Sequence, residues 1–185
     1  MPSRSPPAVQ GGILEGLFTK GPTADPELTR RLLPLGFDVH DIQPTYPPKV
    51  LLDCVLLAAE YLWPELPPEE RLRRLGGLTV QGFQQTVLGS ITLAAIRLMG
   101  PERLIKQLPK RFFSGQNYGS GRVEQLEPRR WEVHYLEIPP GLDPNMPFVC
   151  GAIEAAVRLT DVRNPRVEVV REVPNGFVME VTWEA

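Results

Sequence analysis

Residues 114–138 read SGQNYGSGRVEQLEPRRWEVHYLEI, and the hydrophobic period changes inside them. SGQNYGSG is dense in turn formers. After it, Arg122–Leu126 and Arg130–Ile138 alternate as strands do, with Glu127-Pro128-Arg129 placed to turn one into the other. Trp131, Val133, Tyr135 and Glu137 fall on one side of the second strand; Glu132, His134, Leu136 and Ile138 fall on the other. Downstream, PPGLDPNMP is a loop and Phe148–Leu159 a helix with Phe148, Ile153, Ala156 and Val157 as core. Arg166–Val173 and Phe177–Trp183 alternate again across Pro174-Asn175-Gly176, and Asn-Gly between two such runs signals a hairpin. The C-terminal order is therefore β-β-α-β-β.

Upstream of Ser114 the period is helical. Ile13–Lys20 places Ile13, Leu14, Leu17 and Phe18 on one face, and Gly21-Pro22 stops it. Asp25 caps a second helix that has Pro26 at its first position, and Pro34 and Gly36 end it. Lys49–Trp63 is apolar almost all round, which predicts burial on most faces. PPEERLRRL opens a further helix with Glu69 and Glu70 in its first turn, as the helix dipole favours, and it runs toward Met99-Gly100. Gly82 and Gly89 share a face of it; glycine costs about 1 kcal/mol in a helix, so close approach of a second backbone is the expected cause. Glu102–Phe113 is the last amphipathic helix. A helical two-thirds followed by segregated strands predicts an α+β fold, with helices packed on an antiparallel sheet.

The chain has 185 residues, 23% charged and 42% hydrophobic, with net charge −2. These values predict one packed domain over residues 13–185 preceded by a flexible arm over 1–12, and exclude a disordered chain. Proline is enriched, at 21 residues. Two cysteines cannot form a disulfide scaffold, and no charged start with an apolar run marks a secretory leader. The expected compartment is the cytoplasm. Gly76–Ile96 carries no charge, yet Gln81, Gln84 and Gln85 with four hydroxyl residues argue against a membrane span.

Chemistry-bearing residues are sparse. His40, His134, Cys54 and Cys150 lack the short spacing of a structural zinc site, so no metal site is expected from them. Cys54 sits among leucines with no local positive charge. Cys150 begins a helix, where the dipole lowers a thiol pKa, and is the one nucleophile to test. SGQNYGSG is not a phosphate loop of the G-x-x-x-x-G-K type and reads as a helix-to-strand turn. Residues 97–130 hold eight Lys or Arg against three acids, which reads as a solvated basic face; lacking interleaved aromatics, it predicts no nucleic-acid partner. No pair of carboxylates is placed for acid/base work.

Several segments together resemble a known family: LEGLF, LGFDVHDIQPTYPPKV, RLGGLTVQGFQQTVLG, LMGPERLIKQLPKRFFSGQNY and EVTWEA. They are similar, in order and over residues 13–183, to a paralogous single-domain family of unknown function that is expanded in myxobacteria. By architecture the chain also looks like vinyl-reductase-type ligand-binding domains, with trafficking-complex subunits and haem-based nitric-oxide sensors related in layout. That likeness implies an apolar pocket between helices and sheet. A haem would need an axial ligand, and His134 on a strand and His40 in a loop do not supply one.

The expected function is a non-enzymatic signalling or regulatory module without a cofactor, binding a small apolar ligand or a protein partner. Cys54, Leu57, Tyr61, Phe83 and Val87 are the candidate lining, with Tyr118 at the rim. The alternatives are an enzyme using Cys150, or a homodimer assembled through the Lys49–Trp63 helix.

Overall fold

Two apolar cores meet along one glycine-bearing helix. The computed structural model describes residues 5–20, 23–85, 94–113, 115–142 and 145–184, with side chains excepted at 83–84 and 111–113. Strand β1 (Val9–Gln10) leads into α1 (Gly11–Phe18) and α2 (Pro26–Leu32). A 3-10 turn, Leu33–Leu35, and β2 (Thr45–Tyr46) precede α3 (Pro48–Leu62) and α4 (Pro68–Gln84). Residues 94–99 are helical, and α5 (Pro101–Phe113) follows. Then come β3 (Ser120–Glu127), β4 (Arg130–Leu136), α6 (Met146–Arg158), β5 (Arg163–Val173) and β6 (Gly176–Glu184). The α+β class and the β-β-α-β-β order are as the sequence implies.

The boundaries have local causes. Asp25 caps α2 through a 2.8 Å bond from the Leu28 N–H, with Pro26 at the first helical position. Gly36 ends the turn after α2 at φ 90°, a left-handed conformation that glycine adopts without strain. Within the stretch expected to be an arm, Val9 and Gln10 pair with Tyr46 and Thr45, and Val9 is buried. The arm expectation therefore needs correcting at its C-terminal end: an unpaired Val9 would leave apolar surface in water.

β3, β4, β6 and β5 form one antiparallel sheet in that order. Trp131, Val133 and Tyr135 of β4 and Phe177, Met179, Val181 and Trp183 of β6 face α5 and α6. With Leu104, Ile105, Leu108, Val149, Cys150, Ile153 and Val157 they make the first core. Ile138 joins it despite its parity, because Glu137 at φ 58° breaks the alternation after β4. Asn175, at φ 57°, closes the β5–β6 hairpin.

The second core is helical: Leu14, Leu17 and Phe18 of α1, Leu28 and Leu32 of α2, Phe37, Tyr46, and Cys54, Val55, Ala58 and Ala59 of α3. α3 is buried on one face only. Leu56 remains 45% exposed, so the expectation of burial on most faces is corrected; the neighbouring helices cover a single side. α4 joins the two cores. Its Leu72 and Leu75 enter the helical core, while Gly76 lies where a Cβ would stand 2.0 Å from the Phe148 carbonyl oxygen of α6. Gly151 of α6 makes the reciprocal approach to the Arg73 carbonyl, and Gly82 approaches the Gly16 carbonyl of α1. Close backbone approach is thus the reason for Gly82; Gly89 lies outside the described residues.

Candidate functional site

The six residues expected to line a ligand pocket divide in the structure. Cys54 is fully buried in the helical core, and Leu57 packs against it from the same helix. Tyr61 stands one turn on, where its hydroxyl donates to Asp25 Oδ1 at 3.1 Å and the Arg31 guanidinium lies 5.0 Å from its ring centre. Desolvation, followed by the bond to Asp25, pushes the Tyr61 phenol up. Tyr118 borders the same core from the turn before β3, and burial pushes its phenol up. Phe83 is a position of α4 whose side chain is outside the described set, and Val87 lies outside the described residues. Four of the six therefore border one helical core.

A groove of about 390 Å³ lies elsewhere, over the α4–α6 crossing. Arg73, Gly77, Leu78 and Gln81 of α4 face Gly151, Glu154 and Ala155 of α6 across it, with Trp63 at one end. None of the six expected residues lines it. Glycines that bring two helices together leave little side-chain bulk above the crossing, which is how the groove arises. Its polar floor is already engaged. Arg73 donates to Glu154 Oε1 at 2.8 Å and to the Val167 carbonyl at 2.7 Å, and Glu154 Oε1 accepts from the Val167 N–H at 3.0 Å. The network ties α4, α6 and β5 together and reads as structural.

Both thiols are free and buried. Burial pushes Cys54 up to about 12, with the Asp53 carboxylate adding to it. Burial likewise pushes Cys150 up to about 11, opposed by Arg73 and reinforced by Glu154. Cys150 Sγ lies 3.6 Å from Met179 Sδ inside the sheet core. The expectation that Cys150 begins a helix is corrected: it is the fifth residue of α6, past the first turn where the dipole acts, and burial governs its pKa.

The turn at 115–118 is occupied by the chain itself. Gln10 N–H donates to the Gly115 carbonyl, and Asn117 N–H to the Ala8 carbonyl. The Asn117 side chain accepts from Ala8 N–H at 2.8 Å and donates to the Pro6 carbonyl at 2.9 Å. The helix-to-strand turn thus also fastens the N-terminal strand. On the basic α5, Lys106 lies 5.3 Å from the centre of the Trp131 ring.

The family described as "Protein of unknown function (DUF2378)" matches residues 8–184. No curated protein matches the chain. Solved structures similar in fold are H-NOX proteins. A Tt H-NOX variant superimposes with TM-score 0.69 at 11% identity, covering 95% of each chain. A structure described for haem redox potential and protein-induced porphyrin distortion gives 0.67 at 12%, covering 95% of this chain and 99% of that one. An oxygen-binding H-NOX domain related to soluble guanylate cyclases, in its oxygen complex, gives 0.60 at 13%, covering 94% and 93%. At these identities the likeness shows the fold alone, and it points to H-NOX where the sequence suggested a vinyl-reductase type.

The residues present do not fit a haem held by an axial histidine. The chain has two histidines. His40 is exposed in the connector before β2. His134 is buried on the sheet face opposite α5 and α6, with Nε2 3.1 Å from Glu132 Oε2. Both thiols are held neutral by burial, and a neutral thiol is a poor iron ligand.

Proposed function

The chain belongs to the DUF2378 family of proteins of unknown function, and from that premise we propose that it is a non-enzymatic, haem-independent ligand-binding module in signalling. Its ligand is a small apolar molecule, with a protein partner reading the result. In the myxobacterial setting that its sequence resemblance implies, it works in the cytoplasm, in keeping with two free, buried thiols. Among the described residues no helix is long and apolar enough to cross a membrane.

The observation that carries this reading is the division into two cores around α4 on an H-NOX-like frame. Phe148 packs against both cores, so a molecule wedged between them would move α4 against α6. A seam between separately packed units is where ligand sites commonly form. Of the six residues expected as lining, Cys54, Leu57, Tyr61 and Tyr118 border the helical core and are the proposed lining on that side. An enzyme acting through Cys150 is disfavoured by the depth and raised pKa of that thiol. Self-association through α3 is a second reading, favoured by the exposed Leu56.

Native followed by denaturing mass spectrometry of the purified protein tests the proposal. The expected result is an added mass lost on denaturation, with no haem absorbance. A clean monomer that binds no hydrophobic probe would defeat the ligand reading, and a clean dimer would favour α3 self-association.

A further inference from the structure

The face of the sheet turned away from α5 and α6 gathers a second set of groups. In the β3–β4 register Glu124 stands directly opposite Glu132, and Arg122 opposite His134. Glu132 and His134 are two apart on one strand and so share a face. One ligand atom each from Glu124, Glu132 and His134 lies within 4.8 Å of the others. His134 is 5% exposed, and its buried Nε2 makes no hydrogen bond. It lies 3.1 Å from Glu132 Oε2 as an electrostatic contact, without hydrogen-bond alignment. A buried ring nitrogen without such a bond is costly, and a native fold ordinarily gives it a partner.

We infer that Glu124, Glu132 and His134 form a binding site for one divalent first-row transition ion of the zinc type. One imidazole nitrogen with two carboxylate oxygens suits such an ion, whereas calcium prefers an all-oxygen shell of six to eight ligands. Zinc binds these ligands at about 2.0–2.2 Å, so small side-chain rotations from the present spacing close the shell. Three protein ligands leave a fourth position open to water. The site is built by a sheet, which fixes two of its three ligands across adjacent strands and the third two residues along.

Access comes from the exposed Glu124 side, while Val178, the β6 neighbour of His134, seals the other. One present counter-charge is Arg171, whose Nη2 lies 3.3 Å from Glu132 Oε2 with a side chain 55% exposed. The guanidinium can swing into solvent, and the ion would replace it. Arg130 is engaged with Glu180 at 2.7 Å and also feels the Glu132 carboxylate, though more weakly than Glu180.

The test is titration of the untagged, chelator-stripped chain with Zn²⁺ against a chromophoric chelator. The expected result is one site, micromolar or tighter. Glu124→Gln and His134→Ala should each weaken it at least about tenfold, and His40→Ala should leave it unchanged. Arg171→Ala, at an exposed position that does not threaten folding, should tighten it by removing the competing cation. Co²⁺ bound in place of Zn²⁺ should show no thiolate charge-transfer band. Absence of stoichiometric binding would overturn the proposal. So would a thiolate band, or binding indifferent to Glu124→Gln and Arg171→Ala.

Discussion

At the scale of single residues, desolvation decides what the two thiols do. Cys54 and Cys150 have ordinary values near 9.0 and are pushed up to about 12 and about 11 in the fold. The unfolded chain therefore loses these protons first as pH rises. Each thiol's contribution to stability is complete below about pH 9. It declines above that at about 1.4 kcal/mol per pH unit, until the folded thiol itself ionises. Denaturant midpoints of the wild type and of the Cys54→Ala, Cys150→Ala double variant, measured at about pH 8 and about pH 10, should show the steeper loss in the wild type. Equal slopes would refute the assignment. The sequence placed both cysteines among apolar neighbours correctly. It could not give the depth of Cys150 or its place past the first turn of α6, because burial depends on β6 bringing Met179 onto that side chain.

At the scale of elements, glycine separates helix positions that touch another backbone from those that do not. A Cβ on Gly76 would meet the Phe148 carbonyl at 2.0 Å, whereas one on Gly16 would meet nothing within 4 Å. Gly76→Ala should destabilise the protein by about 1–3 kcal/mol, despite the gain in helix propensity. Gly16→Ala should stabilise it by about 0.5–1 kcal/mol. Chemical denaturation of both variants reads the difference, and equal effects would show that the α4–α6 crossing can relax. The segments that carry the family resemblance are mostly devices of this kind. Gly36 ends a turn in a left-handed conformation, and Asp38 accepts from His40 N–H in an Asx-type turn. The Tyr46 hydroxyl accepts from Gln43 N–H, and Asn117 holds the N-terminal strand. Such residues specify the fold, which is why they name a family without naming a reaction.

At the scale of the whole molecule, the N-terminal strand fastens the helical half to the turn that leads into the sheet. Val9 pairs with Tyr46 and bridges to Gln116, and its side chain is 1% exposed. A chain lacking residues 1–10 should lose about 1–3 kcal/mol, chiefly the burial of Val9, and melt at a lower temperature. Unchanged melting would show that the strand adds nothing to the joint. By itself, the sequence determined the class, the order of elements and the α2 and β5–β6 boundaries, because periodicity, caps and turn residues act over a few positions. Only the tertiary structure decided which glycines touch another backbone, how deep the thiols lie, and that His134 is buried. Each of those depends on which strand or helix becomes a neighbour, and that follows from packing two cores together rather than from any local stretch of chain.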